Sequence, residues 1–309
     1  MIALKIAAGL LLFYVVFLAA PAVVAYFAAF SRKRGTPLEE MRPEKTYYGP
    51  YLPRLTAAGA FLEAIPHRPV EIRARDGVRL LADWYDGGFP RTAVCVHGYR
   101  ATPMNNFRVQ GKKLWELGFN LLLVHQRAHG VSGGSWTGLG LIEQYDLLDW
   151  EKWAEEDGAK QVLLFGMSMG SAAVGYAADK LEGTRVKGMI LDCGFSSPYD
   201  QLMWDCKKRR LPGKLMLPVM ALCARVHQGI DIRTPVADAL KKTHVPALFY
   251  HGTADSVVPP EQGRANFAAC GGPREFIEVE GADHTVSYLK GGKRAEQALE
   301  DFIRRSFTE

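Results

Sequence analysis

Apolar and polar positions change rhythm three times along this chain. From Ile6 to Phe30 no formal charge interrupts a run of apolar residues. Wound as a helix, that run would reach about 37 Å, more than the roughly 30 Å of a bilayer's hydrocarbon core. Residues 32–69 are rich in charge and proline, and one helix is expected over Leu52–Ile65, with Pro53 in its first turn where a missing N–H costs nothing. From Val70 the pattern becomes an alternation. Val70–Arg75 and Val78–Tyr85 alternate in polarity about Asp76-Gly77, a hairpin signal. Short apolar runs follow at Thr92–Val96, Asn120–Val124, Gln161–Phe165, Val186–Leu191, Pro246–Tyr250 and Glu275–Val279. Stretches of helical character separate them, at Asn105–Leu117, Glu143–Glu156, Ser171–Leu181, Glu261–Cys270 and Gly292–Phe307. Buried strands alternating with helices predict an α/β fold, a mostly parallel central sheet flanked by helices on both faces.

One segment breaks the alternation. Between Phe195 and Thr243 no strand is predicted, but Tyr199–Arg209 and Leu215–Gln228 read as helices separated by Pro212-Gly213. An insertion there would lie over the strand ends where open α/β sheets bind ligands. It is expected to form a small helical lid over about 195–243, shaping a pocket through Met203, Trp204, Leu215, Met216, Met220 and Leu222.

Composition narrows the picture only a little. The chain is 48% hydrophobic and 23% charged, with a net charge of +5, ordinary for a globular protein. No basic stripe interleaved with aromatics points to nucleic acid. The five cysteines, Cys95, Cys193, Cys206, Cys223 and Cys270, are scattered and odd in number, which suits free thiols in a reducing compartment. At the N-terminus, Arg32, Lys33 and Arg34 follow the apolar run at once. This predicts an uncleaved single-pass transmembrane anchor, residues 1–31, that contacts the lipid bilayer and leaves the rest on the cytoplasmic side. Export after cleavage of a signal peptide, at Ala20-Pro21-Ala22 or Val23-Val24-Ala25, is the alternative. A connector over 32–69 and a globular domain over 70–309 complete the expected organisation.

Chemistry concentrates at three places. Gly166-Met167-Ser168-Met169-Gly170 lies between an apolar strand and an Ala-rich helix. That setting is the strand–turn–helix in which a strained turn lifts a serine hydroxyl above the sheet. A second such pentapeptide, Gly130-Val131-Ser132-Gly133-Gly134, runs on into loop and is read as a loop serine. A hydroxyl needs a base to take its proton and a third group to hold that base in one tautomer. His284, in a glycine-rich loop after the last strand, is the expected base. Asp255, after the strand Pro246–Tyr250, is the expected acid, with Asp192 at the end of Val186–Leu191 as its rival. His97, His125, His129 and His251 are expected to brace loops. No metal or nucleotide motif is present, and the chemistry needs no cofactor.

His97-Gly98-Tyr99, Gln126 to Gly134, Gly166 to Gly170, His251 to Asp255 and Gly281 to His284 together resemble the α/β-hydrolase superfamily, from about Val70 to the C-terminus. The chain is most similar to bacterial, membrane-anchored serine hydrolases of the serine-aminopeptidase-like group. The resemblance implies an α/β-hydrolase fold with Ser168, Asp255 and His284 as catalytic residues. It also implies an oxyanion hole from the backbone N–H groups of Tyr99 and Met169. The loop His97–Asn106 lacks the second glycine of many lipases, and His125 stands where relatives commonly have aspartate. The expected substrate is a small acyl compound, with no obligate protein partner. Ester or thioester hydrolysis is the leading reading. Amide hydrolysis by a serine peptidase and a non-enzymatic anchored scaffold are the alternatives.

Overall fold

In the computed structural model, residues 5, 6, 9, 13–32 and 46–308 are described. The strands are β1 (Arg68–Arg73), β2 (Arg79–Tyr85), β3 (Arg91–Val96), β4 (Phe119–His125), β5 (Gln161–Met167), β6 (Val186–Asp192), β7 (Ala247–Gly252) and β8 (Arg274–Val279). They form one sheet in the order β1-β2-β4-β3-β5-β6-β7-β8. The leading hairpin is antiparallel to β4, and every pair from β4 to β8 is parallel. Strands β3 to β7 are buried almost throughout because helices cover both faces, as their continuous apolar runs require, while the edge strand β8 is only partly buried.

The helices are α1 (Ala20–Phe30), α2 (Leu52–Glu63), α3 (Pro103–Glu116), α4 (Glu143–Glu156), α5 (Met169–Ala177), α6 (Pro198–Lys208), α7 (Gly213–Gln228), α8 (Ala237–Leu240), α9 (Pro260–Ala269) and α10 (Ser287–Ser306). One apolar layer gathers α1, α4, α5 and α7, and the other gathers α2, α3 and α10. The segment expected to form a lid contains α6 and α7, and the break between them spans 209–212, with Gly213 already opening α7. Gly292, at φ 51°, bends α10 where a continuous helix was expected to begin.

Strand order matters for chemistry. The chain leaves β3 toward β4 on one side and returns to β5 on the other, so the loops after β3 and β5 diverge. This topological switch opens a crevice at the carboxyl ends of those two strands. Val96 and Gly166 are paired across it, which brings the loops carrying Tyr99 and Ser168 together.

The N-terminal segment departs from the expected anchor. Among the described residues no helix is long and apolar enough to cross a membrane, so a transmembrane helix is not supported there. Residues 1–4, 7, 8 and 10–12 of the expected span lie outside the described residues. What is described packs on the globular body. Ala22, Tyr26 and Phe30, one turn apart on a single face, are fully buried. The Tyr26 hydroxyl meets His227 Nδ1 and Gln228 Nε2, both at 2.9 Å, at the end of α7. Beyond α1, Arg32 donates to the carbonyls of Gly130, Ser132 and Gly134. The connector is also more deeply built in than a spacer: Leu55, Ala58 and Leu62 of α2 are core residues, and Tyr48 is buried.

Candidate active site

The sharp turn after β5 places Ser168 at φ 54°, a region an L-residue enters only under constraint. The constraint is steric on both sides. A β-carbon on Gly170 would lie 1.9 Å from the Val96 carbonyl oxygen, and one on Gly166 would lie 2.3 Å from the Gly170 carbonyl oxygen. Only glycine fits at either place. The Ser168 N–H is fixed by the Asp192 carbonyl at 2.8 Å, which ties the turn to the neighbouring strand end.

Over this turn, loops from three strands converge. His284 Nε2 lies 3.0 Å from Ser168 Oγ. On its other side His284 Nδ1 lies 2.8 Å from Asp255 Oδ2. Asp255 Oδ1 in turn accepts the N–H groups of Val257 and Val258, each at 2.8 Å. All three side chains are buried. Burial alone would raise the Asp255 carboxyl, but His284 and His251 beside it outweigh that and hold it well below the usual carboxylate range. A carboxylate so stabilised orients Nδ1–H toward itself and leaves Nε2 as the acceptor facing the hydroxyl.

The rival acid has a different setting. Asp192 is fully buried, neither of its carboxylate oxygens has a hydrogen-bond partner among the described residues, and burial pushes it up to about 7. It makes no hydrogen bond to the base. Ser132, the other candidate serine, accepts the Leu81 N–H at 2.8 Å and donates to the His125 carbonyl at 2.6 Å, a loop brace as expected. Three other histidines also brace. His97 joins Gly98 and Gln126, His125 meets Asp83, and His251 meets the Val258 carbonyl.

Tyr99 sits on the loop after β3, and its neighbour Gly98 packs against the nucleophile: a β-carbon on Gly98 would lie 3.2 Å from Ser168 Cβ. Met169 opens α5, where the first N–H groups have no intrahelical acceptor. His129 Nε2 accepts the Arg100 N–H at 3.1 Å and so ties the same loop to the one after β4. That second loop is anchored by Arg127, which donates twice to Asp146 at 2.6 Å and twice to Asp76 at 2.7 and 3.4 Å.

Above Ser168 is a pocket of about 420 Å³ with mainly apolar walls. Of the expected lid residues, Met216 and Met220 line it. Leu215 and Leu222 instead face outward, 49% and 63% exposed. Met203 and Trp204 are not among its walls. Two contributions lay beyond sequence reasoning. Ala25, Ala28 and Ala29 of α1 form one side of the pocket. Tyr48, from the connector, meets Thr285 Oγ1 at 2.6 Å and supports the loop that carries His284. The tyrosine-rich stretch Tyr47-Tyr48 was a faint signal for the second, since a buried tyrosine hydroxyl seeks a partner. Cys193, Asp255 and His284 offer ligand atoms within 4.8 Å of one another. The thiol is fully buried and pushed well above its ordinary range, first by burial and then by Asp192, which does not suit a thiolate metal ligand.

Residues 94–238 match the family model for the alpha/beta hydrolase fold. The chain is similar to the uncharacterized protein YqkD of Bacillus subtilis, 26% identical over 69% of this chain and 71% of that one. Among solved structures it is similar to the Pyrococcus furiosus esterase Pf2001, at a TM-score of 0.64 and 21% identity, covering 79% of this chain and 93% of that one. The esterase EaEST from Exiguobacterium antarcticum gives a TM-score of 0.57 and 21% identity over 76% and 99%.

Proposed function

We propose, from the premise that the chain has the alpha/beta-hydrolase fold, that it is a serine hydrolase cleaving a carboxylic ester or thioester through an acyl-enzyme. One observation carries this reading: an unbroken hydrogen-bond chain from Ser168 through His284 to Asp255 at the foot of an apolar pocket. In the first step Ser168 Oγ attacks the substrate carbonyl while His284 Nε2 takes its proton. Asp255 favours the imidazolium that results. The N–H groups of Tyr99 and Met169 receive the developing oxyanion, and one such donor is worth roughly 3 kcal/mol of barrier. His284 then protonates the leaving alcohol or thiol. In the second step it activates water, which releases the acid and restores Ser168.

The walls are largely apolar, which suits an acyl chain, and the charged side chains among them are Arg100, Asp205 and Arg209. Attachment to a bilayer through the N-terminal segment, with the hydrolase body on the cytoplasmic side, belongs to the same proposal. It is supported by the exposed apolar side chains of Phe13, Val16, Phe17 and Val24. A fluorophosphonate probe is expected to label the protein, and Ser168→Ala to abolish the label. Labelling that persists in Ser168→Ala would remove Ser168 as the nucleophile.

A further inference from the structure

The helix α1 has two working faces. Ala22, Tyr26 and Phe30 bury one face against the body of the protein. Each residue turns the helix by about 100°, so Ala25 and Ala29, one position before Tyr26 and Phe30, look out from the adjacent stripe. That stripe, with Ala28 at the exposed rim, is a wall of the pocket above Ser168. Met216 and Met220 of the lid form the wall beside it.

The docking is specific. The Tyr26 hydroxyl is held by His227 and Gln228, the Phe30 carbonyl accepts the Thr137 N–H at 2.9 Å, and Ser31 bridges Trp136. The Ala29 carbonyl also accepts the Tyr99 hydroxyl at 2.7 Å. Tyr99 is the residue whose backbone N–H faces the reacting carbonyl in the reading above. The helix therefore touches the site twice, once as a wall and once as a brace on the loop that carries this donor.

We propose that α1 determines acyl-chain specificity. The small side chains of Ala25, Ala28 and Ala29 leave the room in which a linear aliphatic acyl group lies. This rests on the ester-hydrolase reading for its substrate class, while the geometry of the wall is independent of it. Enlarging a wall residue narrows the pocket along its length, so longer acyl groups lose more than short ones.

The test compares full-length Ala25→Phe and Ala28→Leu with Val24→Phe, whose parent side chain is 68% exposed. Each is assayed on p-nitrophenyl acetate, butyrate, octanoate and dodecanoate, with dodecanoate binding measured separately by displacement of a fluorescent fatty acid. The octanoate-to-acetate ratio of kcat/KM is expected to fall by about tenfold or more in Ala25→Phe, the scale of excluding a methylene or more from an apolar pocket. Ala28→Leu, at the rim and less disruptive, should show a smaller fall, and Val24→Phe none. Unchanged ratios in folded Ala25→Phe and Ala28→Leu would overturn the proposal. If the wild-type protein turns over no ester, binding decides: weaker dodecanoate binding in Ala25→Phe supports the wall while the ester reading fails, and unchanged binding ends both.

Discussion

Two buried carboxylates flank the candidate base, and replacing the idle one is the most informative perturbation. Asp192 lies at the end of β6 with no hydrogen-bond partner for either oxygen among the described residues. Burial raises it from 3.8 to about 7, with His251 and His284 pulling the other way and Asp255 adding to the rise. Below about pH 4 the folded and unfolded chains both hold this proton, and the site costs nothing. Between about pH 4 and pH 7 the unfolded chain releases the proton while the folded chain keeps it, so stability falls as pH rises. Above that window the full cost applies. At about 1.4 kcal/mol per pH unit, a rise from 3.8 to about 7 amounts to about 4 kcal/mol.

Asp192→Asn removes the titration and keeps the shape. Any pH-independent cost of burying the amide is the same at every pH and cancels when Tm differences are compared across pH. The Tm of Asp192→Asn relative to wild type is therefore expected to climb between pH 4 and pH 8. For a body of this size, at about 2 °C per kcal/mol, the climb is roughly 8 °C. Thermal unfolding followed by near-UV circular dichroism at several pH values reads it directly. A difference that stays flat with pH would refute the claim that Asp192 is a buried, unpaired acid. Hydrolysis by Asp192→Asn at pH 7.5 should stay near wild type, because this carboxyl does not hold the base.

The neighbouring carboxylate should behave in the opposite way. Asp255→Asn keeps the shape but reverses the hydrogen-bond preference at His284 Nδ1, 2.8 Å away, and kcat on a p-nitrophenyl ester is expected to drop by about 10⁴. Gly170→Ala forces a β-carbon to within 1.9 Å of the Val96 carbonyl. Soluble protein without fluorophosphonate labelling, or no folded protein at all, is the expected outcome, and wild-type labelling would contradict the packing at the elbow.

The parts of the site that were legible in the sequence are those where local sterics or chain position dictate residue type. The elbow was readable because its turn admits only glycine at 166 and 170, and glycine leaves a mark in any sequence. Asp255 and His284 were readable because each lies on the loop that follows a strand of a parallel sheet, and all such loops fall on one edge. Asp255 was preferred to Asp192 through its place in the His251 to Asp255 motif, while the 2.8 Å contact that joins it to His284 is a fact of tertiary geometry.

The N-terminal segment shows where pattern reading stops. An amphipathic helix announces its buried face through contrast, and α1 has almost none, since its apolar residues run all round. Uniform apolarity is equally compatible with lipid and with protein as the surrounding medium. The distinguishing marks are small: a tyrosine at 26 whose hydroxyl needs a partner, and alanines at 25, 28 and 29 where a purely lipid-facing helix gains nothing from being narrow. Once the partner is seen to be His227 of the lid helix, those marks acquire a meaning. The segment that reads as an anchor is also a piece of the pocket, so any membrane attachment through it would hold the mouth of the site at a fixed distance from the lipid.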